Sequence, residues 1–314
     1  MSRPDPTTEV LRDTTEEWLE VEKKVGRYLR IPEFIKFNSR QIMRLPADTD
    51  GEDLPHVILS SMSENIRRSG SYKAAYYFGL RNLYPTKLSG HGEFRIKQMI
   101  KWYTPGEALA ILMLVYFNRY LDMRSPAEGW SRINPFFRQD IAVGRRIGLA
   151  WPEITPGRGM IVAGLRRVAS GFLLLAFPDL IKKFAAQGMF RDQFMSAAAE
   201  QKLCGISHLT VAGYISQQCG LGVTLASSLG TMGHKEAESP ESEQGWREVN
   251  FILEELKQGV SSEEIAKKVS LQEGESRASL DRHFEHIMSD QETFNWLNSQ
   301  KEETNYIRDH KLLD

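Results

Sequence analysis

The stretch Thr104–Leu121, TPGEALAILMLVYFNRYL, decides the fold class. Thr104 is a candidate N-cap, Pro105 stands at the first helical position and Glu107 falls at the third, which together form a capping-box pattern. A nearly continuous apolar run, Ala108–Phe117, follows these residues. A helix that is apolar on all sides is typically buried. The stretch therefore predicts a central helix in an all-α protein.

On both sides of this stretch, apolar residues recur at three- and four-residue steps, which is the helical period, and no segment alternates as a strand does. The predicted helices are Thr14–Arg30, Leu54–Arg68, Phe136–Leu149, Met160–Phe177, Asp179–Gln187, Arg191–Leu203 and His208–Cys219. Proline and glycine predict turns or loops at Arg44–Asp53, Thr86–Phe94 and Trp151–Gly159, and an interruption at Pro126, Gly129 and Pro135. We therefore predict a multi-helix bundle with little strand.

Composition divides the chain into three predicted regions, which are an N-terminal helical region 1–130, a helical core 131–234, and an acidic linker with a helical tail 235–314. The tail carries 10 Lys+Arg and 19 Asp+Glu, a balance of −9. Subtracting these from the chain totals of 40 and 41 leaves 30 basic and 22 acidic residues in the body, a balance of +8. Tail and body could therefore attract each other, the body could hold an anionic partner, or both could be solvated faces.

Location is predicted from three features of the sequence. The cysteines are only Cys204 and Cys219, which favours a reducing compartment over a disulfide scaffold. Residues 1–14 are polar and lack the apolar core of a signal peptide. The run Ala108–Phe117 is about half of the ~20 residues needed to cross a bilayer. We expect a cytoplasmic protein without a membrane segment.

Motifs for cofactor or metal binding are absent from the sequence. It contains neither a Walker loop nor a Gly-x-Gly-x-x-Gly that follows a strand, and no His-Glu-x-x-His is present. His283 and His286 stand three apart on a predicted helix, a spacing that zinc can use. Because third and fourth ligands are not evident nearby, solvated histidines are the simpler interpretation. We expect no cofactor.

Two sites in the apolar helices hold polar residues that need partners. Arg166 and Arg167 lie inside a strongly apolar helix, so each guanidinium must find a carboxylate, a helix end or an anion, or reach solvent. A structural ion pair with Asp140 or Glu200 is one interpretation, and an anion- or partner-binding site is the other. His208 begins a helix, where the dipole disfavours the imidazolium, and we expect it to be partly buried and hydrogen-bonded to a neighbouring loop.

Two stretches, read together, resemble the HDOD family, the output-domain relatives of HD phosphohydrolases. The first is Ile161–Asp179, IVAGLRRVASGFLLLAFPD, and the second is Glu200–Gly222, EQKLCGISHLTVAGYISQQCGLG. The resemblance covers roughly residues 133–234 and implies an HD-like helical bundle. Positions that fit the family pattern are Ala163, Gly164, Leu165, Leu173–Leu175, Phe177, Pro178, Glu200, Gly205, Ser207, His208, Val211, Gly213 and Leu221.

The departures from the family pattern concern the metal site. HD enzymes use an adjacent His-Asp pair as metal ligands, and its position falls here on Arg167-Val168. Arginine stays protonated and valine has no donor atom, so neither is expected to hold a metal. The resemblance therefore implies a non-catalytic, bacterial signalling or regulatory module that binds a protein partner or a small anionic ligand. The candidate binding residues at this vestigial site are Arg166, Arg167, Asp140, Glu200 and His208.

Two other functions stay open at this stage. One is a residual metal-dependent phosphohydrolase of the HD superfamily that uses Asp140, Glu200, His208 and His234. The other is DNA binding by Gly259–His286, which has a helix–turn–helix-like rhythm. The −9 balance of the tail opposes phosphate contact, so a nucleic-acid partner is not expected.

Overall fold

The computed structural model describes residues 6–88, 94–125, 129–150, 154–186, 197–230 and 312–313. Across these residues the regular secondary structure is helical apart from one pair of two-residue strands, so the predicted all-α class is confirmed. The predicted tail helices, the linker 235–244, His234, His283 and His286 lie outside the described residues. The helices are α1 Pro6–Val25, α2 Glu33–Ile42, α3 His56–Arg67, α4 Gly70–Leu83, α5 Pro85–Leu88, α6 Ile96–Lys101, α7 Pro105–Arg124, α8 Trp130–Ala150, α9 Pro156–Ala176, α10 Leu180–Ala186, α11 Ala197–Cys204, α12 His208–Cys219 and α13 Val223–Gly230, with short 3-10 helices at Gly26–Tyr28 and Gly51–Asp53.

Helix α7 is the predicted central helix, and its capping box is present. The Thr104 hydroxyl accepts a hydrogen bond from the Glu107 backbone N–H at 3.3 Å, and the Glu107 carboxylate accepts one from the Thr104 N–H at 3.2 Å. The run from Ala108 to Val115 is buried on every side, because α2, α4, α8 and α9 all pack against this helix. The prediction of a central helix is therefore confirmed.

Helices α8 and α9 form an antiparallel pair with very close backbones. A Cβ atom on Gly144 would lie 2.2 Å from the carbonyl oxygen of Gly159, and one on Gly157 would lie 1.9 Å from the carbonyl carbon of Gly106 on α7. Only glycine permits such approaches. The predicted turn Trp151–Gly159 is therefore wrong from Pro156 onward, since Gly157 and Gly159 serve helix packing rather than chain reversal.

Two other predicted boundaries differ from the structure. The predicted interruption by Pro126, Gly129 and Pro135 is wrong at Pro135, because Pro135 lies in the second turn of α8, which begins at Trp130. There it removes a single backbone donor close to the start of a long helix. Helix α1 begins at Pro6 rather than near Thr14, in agreement with the preference of proline for the first helical position.

The hydrophobic core contains residues from both sides of the predicted boundary at 130. One buried cluster runs from Val21 to Leu229, and α1 and α2 pack against α12. The division into three regions stays a prediction. Among the described residues, one helix, α9, is long and apolar enough to cross a membrane, and 94% of its most apolar window is buried inside the protein. Such burial is typical of a core helix.

A short strand pair lies between the body and the tail. Strand β1, Phe94–Arg95, runs parallel to strand β2, Leu312–Leu313, with Phe94 opposite Leu312 and Arg95 opposite Leu313. This pair brings two residues of the acidic tail to the backbone just before α6.

Candidate functional site

The first part of the site is a buried ion pair between α8 and α9. Arg167 donates from Nε to Asp140 Oδ2 at 2.7 Å, with a longer contact from its terminal nitrogen to Oδ1 at 3.5 Å. The two side chains are only 4% and 6% exposed, and the Arg167 guanidinium lies 5.3 Å from the ring of Phe136. Of the two carboxylates predicted for Arg167, Asp140 is the partner that the structure shows.

Arg166 is more deeply buried than its neighbour. Its exposure is 1%, and its carbonyl oxygen accepts a hydrogen bond from the Ser170 hydroxyl at 3.3 Å. Both guanidinium groups of this helix are therefore buried, and neither reaches solvent. The arrangement places two guanidinium groups inside the core.

The second part of the site joins α11 to α12. Glu200 Oε2 accepts a hydrogen bond from the His208 backbone N–H at 2.6 Å and lies 2.7 Å from His208 Nδ1. Both side chains are buried, at 0% and 4% exposure. The neighbouring residue Ser207 caps α12 by accepting a hydrogen bond from the Thr210 N–H. The partner of His208 is thus a helix carboxylate rather than the loop that the sequence predicted.

This second pair leaves two polar atoms without hydrogen bonds among the described residues. Glu200 Oε1 and His208 Nε2 are both buried, and the described part of the chain offers neither a partner. Because Glu200 Oε2 takes both His208 contacts, it fixes the ring with Nε2 directed away from the carboxylate. The pair therefore orients an imidazole as well as linking two helices.

A third buried polar cluster was not predicted. Glu107 Oε1 accepts from Arg145 Nε at 2.9 Å and Oε2 accepts from the Tyr84 hydroxyl at 2.6 Å. Burial favours a lower pKa for Arg145, but the Glu107 and Tyr84 contacts outweigh it and raise the pKa. Burial, together with the Glu107 charge, raises the pKa of Tyr84. The sequence signal for this cluster was Glu107 itself, because a carboxylate in the first turn of a buried helix needs a cation in addition to the capping hydrogen bonds.

The donor set does not fit the metal that the family resemblance would imply. The Asp140 carboxylate is bound to a guanidinium, which is a fixed cation and cannot be displaced as a proton can. Within the described ranges, the His, Cys, Asp and Glu side chains form no group of three or more that could hold a metal ion. The five predicted site residues instead form the pair Arg167–Asp140, the pair His208–Glu200 and the buried Arg166.

Comparison with known proteins gives a fold but not a family. No family model matches the chain, and no curated protein matches it. A solved structure from Shewanella amazonensis SB2B, described as "Putative phosphohydrolase", is similar with a TM-score of 0.61 and 11% sequence identity. The likeness covers 88% of this chain and 98% of that one. It therefore extends well beyond residues 133–234 and shows that the helical arrangement as a whole is shared.

Proposed function

We propose that this chain is a non-catalytic, HDOD-like regulatory module that acts by binding a protein partner. The observation that supports this proposal is the buried Arg167–Asp140 ion pair. A guanidinium occupies the carboxylate that a metal site would need, and Val168 beside it has no donor atom. Without a metal there is no activated water for phosphoester hydrolysis.

The same geometry favours a protein partner over a small anionic ligand at this site. Arg166 and Arg167 are 1% and 3% exposed, and Arg167 already holds a carboxylate. An external anion would have to displace Asp140 from a desolvated pair, which would leave a buried charge without compensation. Recognition is therefore assigned to the surface of the bundle, with the buried charges in a structural role.

A metal-dependent phosphohydrolase is the second candidate, because the similar solved structure carries that description. Its proposed residues are Asp140, Glu200, His208 and His234. Asp140 is paired with Arg167 and His208 with Glu200, while His234 lies outside the described residues. This candidate would require a metal to replace the arginine at Asp140.

The two candidates are separated by metal titration and a hydrolysis assay on the purified chain. We expect neither tight binding of Mn²⁺ or Zn²⁺ nor turnover of p-nitrophenyl phosphate or bis(p-nitrophenyl) phosphate. Asp140→Asn is the control that separates a contaminating hydrolase from this site. Turnover that requires Mn²⁺ and disappears in Asp140→Asn would establish the phosphohydrolase and reject the proposal.

A further inference from the structure

An exposed basic surface lies where the outer face of α7 meets the 3-10 helix Gly26–Tyr28. Its residues, which we name the Arg-Tyr patch, are the exposed Arg27, Arg30, Arg119 and Arg124 and the half-buried Tyr116 and Tyr120. The α7 members follow each other at three- and four-residue steps, so they share one face of that helix. The patch is separate from the buried pairs described above.

The tyrosines fix the two halves of the patch to each other. The Tyr116 hydroxyl donates to the carbonyl of Arg30, and the Tyr120 hydroxyl donates to the carbonyl of Tyr28 at 2.5 Å. The Tyr116 and Tyr120 rings are 6.0 Å apart. The surface is therefore held in shape by hydrogen bonds and ring contacts before any partner arrives.

Arginines cover the aromatic rings of this surface. The Arg27 guanidinium lies 4.6 Å from the centre of the Tyr28 ring, and that of Arg124 lies 5.9 Å from the Tyr120 ring. Tyr120 also stacks on Phe172, with 5.8 Å between ring centres. Arg27 also donates from a terminal nitrogen to the Tyr28 hydroxyl at 2.6 Å. Because a guanidinium carries five N–H donors, each of these exposed arginines keeps further donors for a partner.

The positive charge of the patch is not neutralised within the described part of the chain. The ion pairs found in that part include none that involves Arg27, Arg30, Arg119 or Arg124. Asp122, which is exposed on the neighbouring stripe of α7, is the acidic residue at its edge. Met123, 70% exposed, adds an apolar contact in the middle of the same helix face.

We infer that the Arg-Tyr patch is a docking surface for an acidic segment of a partner protein. Arginine, tyrosine and methionine are the residues that protein interfaces favour, and outward guanidinium forks match carboxylates in pairs. A single-stranded nucleic acid fits less well, because bases need free aromatic faces. Here Arg27 lies over Tyr28, while Arg124 and Phe172 both lie against Tyr120. The inference rests on the proposed function, binding of a protein partner, and specifies that the bound segment of this partner is acidic.

The test uses the full chain and a fluorescent peptide of repeated Glu-Glu-Leu, with repeated Lys-Lys-Leu and oligothymidine as comparison probes. The test variant is Arg119→Glu with Arg124→Glu. The matched control is Arg44→Glu with Arg67→Glu, which makes the same charge change at exposed arginines outside the patch. Circular dichroism checks that both variants keep the fold.

We expect the acidic peptide to bind and its Kd to rise at least about tenfold in the patch variant, with less than about twofold change in the control. Three results would overturn the inference. These are no binding of the acidic peptide up to about 1 mM, an equal rise of Kd in both variants, or binding of oligothymidine that depends on the patch more than peptide binding does. Because the assay needs neither metal nor Asp140, its outcome is independent of the hydrolysis test.

Discussion

The two buried pairs of this protein, Arg167–Asp140 and His208–Glu200, each join two helices through polar side chains inside the core, but they do so with different chemical groups. Arg167 and Asp140 bring together a guanidinium and a carboxylate, with an aromatic ring beside the guanidinium. His208 and Glu200 combine a titratable base with a carboxylate, and each keeps one buried atom without a partner among the described residues. In the first pair the Arg167 guanidinium occupies the Asp140 carboxylate. In the second pair Glu200 holds the His208 imidazole in one orientation. The difference separates a pair whose carboxylate is held by a guanidinium from a pair that holds an imidazole in a fixed orientation.

The largest expected effect comes from breaking the first pair. Arg167→Ala leaves the Asp140 carboxylate buried without its cation, which costs about 3–5 kcal/mol of unfolding free energy. Urea unfolding followed by circular dichroism measures this loss. A change below about 1 kcal/mol would mean that Arg167 is solvated, and the comparison of the two pairs would then fail.

A smaller effect is expected from the second pair. Glu200→Gln keeps an acceptor oxygen for the His208 N–H but removes the charge, so we expect a loss of about 1–2 kcal/mol, the difference between charged and neutral hydrogen bonds. The same urea experiment applies, with His208→Asn as a companion variant that retains a donor near Nδ1. A loss as large as that of Arg167→Ala would show that both pairs are equally indispensable.

The dependence of stability on alkaline pH is expected to come from buried tyrosines rather than from either pair. Burial, with smaller contributions from Tyr120 and Cys219, raises the pKa of Tyr116 from 10 to about 12. A folded pKa above the unfolded one stabilises the protein below pH 10, and this contribution is lost as the pH rises from 10 to about 12. Tyr116→Phe should therefore show a shallower loss of stability in that window. An unchanged slope would contradict the prediction.

The smallest change in unfolding free energy is expected for the exposed pair Arg68–Glu64. Its nitrogen and oxygen are 2.5 Å apart, but the side chains are 70% and 50% exposed. We expect Arg68→Ala to change the unfolding free energy by less than about 0.5 kcal/mol beyond the helix-propensity difference. A loss of about 2 kcal/mol or more in the same urea experiment would remove the contrast between buried and exposed pairs on which the argument depends.

Much of the helical framework could be predicted from local patterns. The capping box at Thr104 and Glu107 and the cap at Ser207 are short-range signals, and both are present. The positions of Arg166 and Arg167 inside an apolar helix indicate charges that need a partner, because the apolar surroundings cannot solvate them. In each case the sequence within one or two turns contains the physical requirement.

Other features depend on contacts distant in sequence. Gly157 was interpreted as a turn residue, although its smallness serves a contact with Gly106, some fifty residues away. The choice of Asp140 over Glu200 as the partner of Arg167, and the contact of Arg145 with Glu107, likewise depend on how helices pack. The predicted helices do not include α2, α4, α5, α6 or α13, and α5 overlaps the predicted loop Thr86–Phe94. Only the packed structure shows that α2 buries Ile35 and Ile42 against the core.

The most direct test of the central claim is a double-mutant cycle on Arg167 and Asp140. Arg167→Met, Asp140→Leu and the double variant are compared with the original chain by urea unfolding. If the pair is a structural replacement for a metal site, each single change should cost about 3–5 kcal/mol. The double variant should recover most of that loss, because apolar residues of similar volume can replace a buried pair. Additive losses, or single variants that are as stable as the original chain, would contradict the account.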